Sequence, residues 1–449
     1  MRKFNLAKLI RTDSGKLFVY DGLTNKLISI DCGAAARKKN LSELSKEIFP
    51  ELLRRNLLQN KRRNPARWQA SFEEYKNFLD NRIPILTLQI TRNCNLACSY
   101  CVYSGKYPHV RPAANDDMSP EIIRRSIEFY AVHSSKVPVR NISFYGGEAL
   151  LRFREIKNAV AYANDVFNGK PFEISVSTNG TLLDKNVFDW MQENPNVKIH
   201  ITLNGSFQDK YRKNPSGEGS LETVMTNLIL LRESYPELWE NQTFFISNYV
   251  KLTEVPAILK FYEQFVIPKN PIFFTGIRHD LANKEIQQLL KTDIRKKSLV
   301  RKALRQEFYR NPGGLIKNFF QSDLEILDKR EIFDADDEMK IASCMPFTAK
   351  IFVLTDGKFN MCERTSDTLI LGDLDIGFNE QALAQILSEA EELINRNCRD
   401  CWAQRICFTC FQNMTDENGK IREKFPPDVC RNMRQKLYEL LKIYCEVYS

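Results

Sequence analysis

Three cysteines that follow a short apolar strand place the tightest constraint on this chain. They lie in the segment Cys94-Asn-Leu-Ala-Cys98-Ser-Tyr-Cys101, a few residues after the apolar run from Ile85 to Ile90. This spacing lets three thiols hold three irons of a four-iron cluster and leaves the fourth iron without a protein ligand. A structural zinc site would instead close its shell with four ligands. Three unrelated buried cysteines, or half of a zinc site, are the alternatives for this segment taken alone.

The size and composition of the chain fit a protein of several domains without a membrane span. Its 449 residues exceed one ordinary core, so roughly two to four domains are expected. No apolar run is long enough to cross a bilayer, and the start of the chain lacks a secretory signal. We therefore expect a cytoplasmic protein with no membrane partner, in which the twelve cysteines serve as metal ligands more readily than as disulfides.

A basic run near the start of the chain raises the question of an acidic partner. The net charge is +9, and the local excess of positive charge lies at Arg54, Arg55, Lys61, Arg62, Arg63 and Arg67. Such a run suits either nucleic acid or an acidic peptide, while solvated arginines on a polar linker are the alternative. A metal-stabilised winged-helix DNA binder without enzymatic activity is therefore a rival hypothesis, which salt-dependent binding of DNA by a colourless zinc protein would support.

The first 80 residues predict a small sheet with helices behind it. Turn signals separate three short strands, and apolar residues at helical spacing follow. The predicted elements are the strands Lys3 to Ile10, Lys16 to Tyr20 and Lys26 to Ile30, and the helices Leu41 to Leu58 and Ser71 to Leu79.

From residue 84 onward, apolar strands alternate with amphipathic helices, which predicts a parallel sheet. Six strands are predicted: Ile85 to Ile90, Ile142 to Tyr145, Glu173 to Ser177, Lys198 to Leu203, Thr243 to Val250 and Ile272 to Gly276. In parallel barrels the loops after the strands build the active site. The three cysteines follow the first strand and Gly146-Gly147-Glu148 follows the second, so both segments are expected on that face. Residues 278–340 are predicted to be mostly helical, with a break at residues 311–314.

These segments together resemble the radical SAM superfamily, in which a cluster on the CxxxCxxC cysteines cleaves S-adenosylmethionine. The resemblance implies a partial (β/α)6 barrel and places Tyr100 near the bound cofactor. Gly146-Gly147-Glu148 is similar to the family's GGE motif, whose carboxylate binds the amino group of S-adenosylmethionine. Glycines suit a close approach of the backbone to a ligand, and a carboxylate suits an ammonium group. Ala149 stands where the family often has proline.

Further cofactor contacts follow from the same resemblance. Thr178 and Asn179 close the third strand in a form that the family shares, and are expected to face the cofactor or substrate. The fourth strand ends in Thr202-Leu-Asn204-Gly, where the family often has Ser-x-Asp-Gly. Asparagine cannot act as a base or an anion, so the role of that carboxylate is in doubt here. Arg212 matches an arginine that related enzymes keep near the cofactor, and a surface salt bridge is its alternative.

A second group of cysteines resembles the SPASM domain, which carries two auxiliary four-iron clusters. All seven positions keep the family's order, and only the last short interval is one residue shorter than usual. The group consists of Cys344, Cys362, Cys398, Cys401, Cys407, Cys410 and Cys430. A four-cysteine zinc ribbon would account for Cys398 to Cys410 but not for the other three.

The resemblance also implies how these cysteines divide between two clusters. Cys398, Cys401, Cys407 and Cys430 would complete one cluster, and are called the four-thiol site below. Cys344, Cys362 and Cys410, called the three-thiol site, would hold the other cluster and leave one iron open to a substrate thiolate. The remaining cysteines, Cys32 and Cys445, are expected to pack as small hydrophobic residues.

The predicted organisation has four parts, and the resemblance suggests a role for each. Residues 1–83 are similar to the winged-helix-like domain that recognises leader peptides, and residues 84–280 form the radical SAM partial barrel. Residues 281–340 form a helical bridge, and residues 341–449 form the SPASM domain. A free edge of the front sheet could take up an extended leader as an added strand, assisted by the basic run if the leader is acidic.

The resulting hypothesis is a maturase of the sactipeptide and ranthipeptide type. It would use a 5′-deoxyadenosyl radical to form intramolecular thioether crosslinks between a cysteine sulfur and a carbon of a ribosomally made peptide. The implied cofactors are S-adenosylmethionine and three [4Fe-4S] clusters. The implied partners are a precursor peptide with a leader and core cysteines, and a low-potential electron donor such as flavodoxin or ferredoxin. The alternatives within this fold are carbon-carbon crosslinks, or oxidation of a protein Cys or Ser to formylglycine.

Overall fold

The computed structural model defines the secondary structure of most of the chain. It describes residues 6–31, 41–59, 61–68, 72–107, 112–265, 269–277, 284–291 and 294–448. The strands are β1 Ala7–Arg11, β2 Leu17–Asp21, β3 Lys26–Ile30, β4 Ile85–Thr91, β5 Arg140–Gly146, β6 Phe172–Thr178, β7 Val197–Thr202, β8 Thr243–Tyr249, β9 Ile272–Gly276, β10 Ile351–Val353, β11 Phe359–Asn360, β12 Gly372–Asp373 and β13 Gly377–Phe378. The α-helices are α1 Leu41–Arg54, α2 Phe72–Asn81, α3 Pro120–His133, α4 Phe153–Phe167, α5 Lys185–Glu193, α6 Gln208–Tyr211, α7 Leu221–Ser234, α8 Pro236–Gln242, α9 Val255–Gln264, α10 Lys284–Leu290, α11 Ile294–Arg310, α12 Ile316–Asp328, α13 Glu380–Asn397, α14 Phe411–Met414 and α15 Pro427–Val447.

The central sheet confirms the predicted α/β fold class. Strands β4 to β9 pair side by side in chain order, and every pairing between neighbours is parallel. Helices connect the strands because parallel neighbours need a crossover. Ser119 caps α3 by accepting a hydrogen bond from the amide of Ile122, and Pro120 occupies its first turn. The six predicted strands agree with the observed ones to within about two residues, since their buried apolar runs are the strongest local signal.

Two short strands of the C-terminal part extend this sheet and were missed in the sequence. Strand β10 pairs in parallel with β4, with Ile351 opposite Leu86, and β11 pairs antiparallel with β10. The sheet therefore has eight strands, in the order β11-β10-β4-β5-β6-β7-β8-β9. A three-residue strand carries no periodicity of its own, so only its register with β4 identifies it.

The front sheet is part of a shared core. Strands β1, β2 and β3 form an antiparallel meander, as predicted for residues 6–30. One face packs on α1 through residues such as Leu9 and Val19, while Ile10, Phe18 and Tyr20 on the other face join the core built by α11, α12 and α15. Both faces of the sheet are thus covered, and every residue of β2 is buried.

Helix α2 does not lie behind the front sheet, in contrast to the prediction for Ser71 to Leu79. Its buried residue Leu79 belongs to the barrel core, and the helix packs against α3. The Tyr75 hydroxyl donates a hydrogen bond to the backbone oxygen of Pro346, 2.9 Å away. Amphipathic spacing predicts a buried face but not the neighbour that covers it, which is why the sequence misassigned this helix.

Internal pairing takes up most of the basic run that was expected to attract an acidic partner. Arg63 is fully buried, and several other cations form ion pairs. These pairs are Arg54 with Glu51, Lys61 with Asp336, Arg62 with Asp400, and Arg67 with Glu338. The paired run is therefore not a free electrostatic patch for nucleic acid or for an acidic leader.

The C-terminal part is mainly helical and ends in the long helix α15. The predicted packing of Cys445 as a small hydrophobic residue is confirmed, because it is buried in the apolar core with α15 and α12. Cys32, the other remaining cysteine, lies outside the described residues. Among the helices of the described ranges, none has the length and apolarity that a membrane crossing requires.

The two faces of β1 predict different effects of two similar substitutions. Ile10→Ala should open a cavity beside α15, and Leu9→Ala should open one beside α1, because these adjacent residues point in opposite directions. Each should cost about 2–5 kcal/mol of local stability. Hydrogen exchange should increase in α15 only for Ile10→Ala, with Leu9→Ala as the matched control. Equal exchange of α15 in both variants would contradict a shared core.

Candidate functional site

The cysteine loop, residues 92–104, follows β4 and is tied to the far side of the barrel. Its backbone amides at Ala97 and Ser99 donate to the carbonyls of Lys213 and Tyr211, at 2.7 and 2.9 Å. The side chain of Asn95 bonds to Thr181, 2.8 Å away. These contacts fix the loop across the mouth of the barrel, so that the thiols of Cys94, Cys98 and Cys101 line its cavity.

Gly146 and Gly147 allow β5 to approach the cysteine loop at backbone contact. A Cβ atom on Gly147 would lie 2.0 Å from the Asn93 carbonyl oxygen, and one on Gly146 would lie 2.1 Å from that of Thr91. The amides of Gly147 and Glu148 donate to these same two carbonyls, at 3.0 and 2.9 Å. From the sequence, the backbone at these glycines is expected to approach a ligand closely. In the structure it approaches the cysteine loop instead.

Glu148 is buried and held by three protein donors. The Thr178 hydroxyl and the Leu150 amide donate to one carboxylate oxygen, at 2.7 and 3.1 Å, and the Asn179 amide donates to the other at 2.6 Å. Burial raises the pKa of Glu148, and these hydrogen bonds act in the opposite direction. The side chain of Asn179 also donates to Asn95 of the cysteine loop, 2.8 Å away. The sequence-predicted GGE and Thr178-Asn179 segments thus form one network.

Tyr100, Asn204 and Arg212 form a second buried network. The Tyr100 hydroxyl accepts hydrogen bonds from the Asn204 amide at 2.6 Å and from Arg212 at 3.3 Å. The Asn204 carbonyl oxygen accepts the amide of Asn248, so this residue connects β7, β8 and the cysteine loop. An aspartate would lack the amide donor that Asn204 gives to Tyr100. This explains why asparagine fits here, although the family often has a carboxylate.

Arg212 carries an unusual buried charge. Two of its guanidinium nitrogens, Nε and one Nη, have no hydrogen-bond partner among the described residues. Burial alone would lower the pKa of Arg212, but Tyr100, Cys98 and Cys94 outweigh it and raise the pKa. A buried guanidinium with free donors suits an anionic or oxygen-bearing ligand. The surface salt bridge considered as its alternative is not observed.

These residues enclose a cavity of about 410 Å³, within the range of small-molecule sites. All of the sequence-predicted cofactor contacts line it except Asn204, which lies behind Tyr100. Side chains from the inner face of each barrel strand complete the wall, including Thr87, Ser143, Ser177, Thr202, Asn248 and Thr275. The hydroxyls of Thr87 and Tyr103 have no partner in the described part of the chain, so two more polar groups are available to a ligand.

The first three thiols fit an iron-sulfur cluster better than a single metal ion. Among the described residues, no three His, Cys, Asp or Glu side chains converge to hold one ion. In a four-iron cluster each thiolate binds a different iron, so its thiols need not converge on one point. Burial, together with the other thiols of the set, raises the pKa of Cys94 to about 11 and that of Cys101 to about 12. Metal binding would release these protons.

The three-thiol site lies behind another wall of the same cavity. Cys344 and Cys362 are each in electrostatic contact with Cys410. Glu363 lines the cavity beside Cys362, and its carboxylate accepts a hydrogen bond from Lys350 at 2.6 Å. Burial alone would raise the pKa of Glu363, but Lys350 lowers it overall. Since Lys350 engages this carboxylate, Glu363 is a poor candidate for a fourth metal ligand.

The four-thiol site is separate from the large cavity. Its four cysteines line one small internal space of about 40 Å³, together with Lys340 and Arg434. Burial raises the pKa of Cys398, and the other three thiols of the site raise it further. Four thiols around one space fit the ligand set of an iron-sulfur cluster, in which each thiolate binds a different iron, better than a single-ion site, because no three such side chains converge among the described residues.

The sequence analysis missed several residues that shape these sites. Asn95 and Thr181 fix the cysteine loop, and only the polar composition of their loops could have suggested it. Glu363 and Gln412 line the cavity, and each lies within two residues of a predicted cluster cysteine. That proximity in sequence is the signal that could have identified them.

Comparison with known proteins shows which family and which enzymes this chain resembles. Residues 88–254 match the model of the radical SAM superfamily. The serine-type anaerobic sulfatase-maturating enzyme of Bacteroides thetaiotaomicron is 32% identical over 143 residues, which are 31% of this chain and 34% of that enzyme. A probable GTP 3′,8-cyclase of Methanosarcina mazei is 29% identical over 163 residues, 33% of this chain and 46% of that protein. The chain thus spans less than half the length of these two relatives.

Two solved structures have the same fold at low sequence identity. The structure of anSMEcpe with bound AdoMet has a TM-score of 0.60 at 16% identity and covers 81% of this chain and 98% of that one. The structure of Streptococcus suis SuiB bound to the precursor peptide SuiA has a TM-score of 0.52 at 13% identity and covers 95% and 99%. Both likenesses extend beyond the barrel, which supports the predicted fold class.

The contact at Gly147 predicts a specific loss of iron. Gly147→Ala should displace the cysteine loop, because the added Cβ would meet backbone atoms that cannot rotate away. Anaerobically reconstituted protein should then lose the iron and sulfide of one cluster. Gly313→Ala is the matched control, since nothing lies within 4 Å of its Cβ position. Full iron content in the Gly147 variant would contradict the role given to this contact.

Proposed function

We propose that this chain, which carries a radical SAM domain over residues 88–254, matures a ribosomally made peptide by forming intramolecular thioether bonds. Each bond would join a cysteine sulfur to a carbon of another residue in the same peptide. The observation that carries the proposal is that two sets of three thiols lie close to the same cavity. The cysteine loop lines the cavity, and so do Glu363 and Gln412, which lie within two residues of Cys362 and Cys410 of the three-thiol site.

Tyr145 supports this proximity from within the cavity. Burial raises the pKa of Tyr145, and the charges of Glu363, Cys101 and Cys362 raise it further, so both thiols lie near this side chain. A peptide in the cavity would therefore lie between the two thiol sets, with its carbon near one and its cysteine near the other. Because the reaction needs both groups held in fixed positions, such an arrangement favours bond formation between two residues of one peptide.

The residues around the cofactor site have separate roles in the proposal. Cys94, Cys98 and Cys101 would hold the cluster, and Glu148 would bind the amino group of S-adenosylmethionine. Arg212 would donate its free N–H groups to an oxygen-bearing group of the ligand, while Tyr100 keeps the guanidinium in place. When bound, the cluster and S-adenosylmethionine supply the radical that removes a hydrogen atom from the target carbon.

The three-thiol site would receive the peptide cysteine. A cluster held by Cys344, Cys362 and Cys410 would supply an open iron for the thiolate, and would take up the electron that is released. The balance is simple: the carbon loses a hydrogen atom, the sulfur loses a proton, and one electron leaves as the carbon-sulfur bond forms. A closed cluster at the four-thiol site would bring the total to three clusters.

The front sheet is the proposed recognition site for the leader of the precursor. Strand β3 pairs only with β2 among the described strands, so its outer edge is available to an added strand. Backbone hydrogen bonds would hold the leader there, as in other complexes formed by strand addition. SuiB, which shares the fold, is described as bound to the precursor peptide SuiA. The basic run is internally paired, so it does not enter this proposal.

Oxidation of a protein residue to formylglycine is the second candidate function. It is favoured by the 32% identity to the serine-type anaerobic sulfatase-maturating enzyme of Bacteroides thetaiotaomicron. The two activities differ in their products, because a thioether joins two residues, whereas formylglycine is a new aldehyde on one residue. Aldehyde-specific labelling of the product therefore distinguishes them. A low-potential electron donor such as flavodoxin or ferredoxin would serve either reaction.

Replacing the three cysteines of the loop tests the radical step. Cys94→Ala, Cys98→Ala and Cys101→Ala together should abolish cleavage of S-adenosylmethionine, because no other thiol of the described residues lines the cavity. The other seven cluster cysteines are untouched, so the remaining iron should stay bound. Production of 5′-deoxyadenosine under dithionite is the measurement. Its persistence in the triple variant would refute the assignment.

A pair of precursor peptides tests the thioether. The product of the native precursor should be lighter by two hydrogens for each link and should resist alkylation at the linked cysteine. A precursor with its core cysteines changed to serine is the control, and it should not perturb the spectrum of the three-thiol site. A product of the same reduced mass with alkylatable cysteines would instead identify a carbon-carbon crosslink.

A further inference from the structure

Arg63 extends from the segment after α1 into the four-thiol site. Its side chain is completely buried, and its guanidinium donates to the backbone oxygens of Cys401 at 2.9 Å and Cys398 at 3.4 Å. It also donates to the backbone oxygen of Gly22, in the turn between β2 and β3. One arginine therefore joins the front sheet to the loop that carries two of the four thiols.

The segment around Arg63 is held firmly against the same region. Arg399 donates two hydrogen bonds to the Arg63 carbonyl oxygen, at 3.0 and 3.2 Å. Ala66 exchanges hydrogen bonds with the side chain of Asn395, at 2.8 and 3.1 Å. These contacts leave the guanidinium little freedom to leave the thiols, so its charge is a fixed part of the site.

Two further cations face the same four thiols. Lys340 is in electrostatic contact with Cys407, and Arg434 with Cys430, while Arg63 is in contact with Cys398 and Cys401. Each thiol of the site therefore has a nearby positive group. Within the described residues, no carboxylate lies at ion-pair distance from any of these three cations.

The three-thiol site has a different charge environment. Its nearest cation, Lys350, forms an ion pair with Glu363 at 2.6 Å. The carboxylate of Glu363 offsets this charge and itself lies beside Cys362. A second cation, Arg364, also lies 3.8 Å from Glu363, and Asp21 partly offsets the charge of Arg63. The four-thiol site therefore exceeds the three-thiol site by about one positive charge in its immediate surroundings.

We propose that Arg63, Lys340 and Arg434 raise the reduction potential of a cluster at the four-thiol site. Net charge and hydrogen bonding near the cluster are among the main determinants of its potential, and nearby cations stabilise the reduced, more negative form. Arg63 is in addition a positioning residue, because it holds the Cys398 and Cys401 carbonyls. The inference rests on the proposed clusters but not on the identity of the peptide product.

The test uses the full chain with Cys94, Cys98 and Cys101 changed to Ala, so that only the two auxiliary clusters remain. The protein is poised anaerobically at a fixed potential, and the reduced clusters are quantified by electron paramagnetic resonance. The signal lost on further substitution of Cys398→Ala identifies the four-thiol site. Arg63→Met should lower the ratio of reduced to oxidised cluster at this site by about tenfold, and should leave the other site unchanged.

Two arginine substitutions separate charge from structure. Arg62→Met is the matched control, because Arg62 is exposed and paired with Asp400 at 3.3 Å, and it should leave the ratio unchanged. Arg63→Lys keeps the charge but loses the forked contact with two carbonyls. It should lower the thermal stability while largely keeping the ratio. A ratio that falls equally in the Lys and Met variants would overturn the electrostatic proposal.

Lys340→Met and Arg434→Met keep the test decisive if Arg63→Met fails to retain its cluster. Among the described residues, neither side chain donates a hydrogen bond to the backbone of the four-thiol site, so both variants should load iron normally. Each should lower the reduced fraction at that site. An unchanged ratio in both variants would refute the proposal. Failure to form a thioether would not alter these measurements, so the two hypotheses fail independently.

Discussion

The pairing of β10 with β4 is the contact on which the proposed chemistry depends. Strand β4 leads into the cysteine loop, and β10 and β11 lie between Lys350 and Cys362 of the C-terminal part. The pairing of Ile351 with Leu86 therefore brings residues separated by more than 250 positions to one cavity. Together with contacts such as the hydrogen bond from Tyr75 to Pro346, this pairing fixes the C-terminal part against the barrel, as the proposed action of two thiol sets on one substrate requires.

Buried arginines lie beside two of the three sets of thiols. Arg212 lies beside the cysteine loop, and Arg63 beside the four-thiol site, and both side chains are almost inaccessible to solvent. Burial of an uncompensated guanidinium is costly unless an anion accompanies it. Cluster-bound cysteines are thiolates, so they would provide that negative charge. Lys350 differs because Glu363 already neutralises it. The distribution of carboxylates, and not that of cations alone, distinguishes the auxiliary sites electrostatically.

The front sheet packs in the C-terminal core, in addition to its proposed role in recognising the leader. Its β2–β3 turn presses on the four-thiol site so closely that a Cβ atom on Gly22 would lie 2.2 Å from the Trp402 carbonyl oxygen. Arg405 adds a hydrogen bond to the Leu23 carbonyl at 3.2 Å. Deletion of residues 1–80 would therefore expose a core and remove Arg63 as well. Substitutions on the free edge of β3 are a cleaner probe of leader binding.

The sequence alone determined the six barrel strands, the cysteine loop and the position of Gly146, Gly147 and Glu148 at the end of the second barrel strand. These features rest on local spacing, because strand periodicity and cysteine intervals are set by the covalent chain. The network that Gly146, Gly147 and Glu148 form was instead decided by the tertiary structure. By resemblance, the sequence also implied that seven cysteines divide between two sites. The fold brings these cysteines into two groups. The position of β10, the partner of α2 and the burial of Arg63 were decided only by the tertiary structure. Each depends on contacts between distant segments, and the energy of such contacts comes from packing and register that no local pattern encodes.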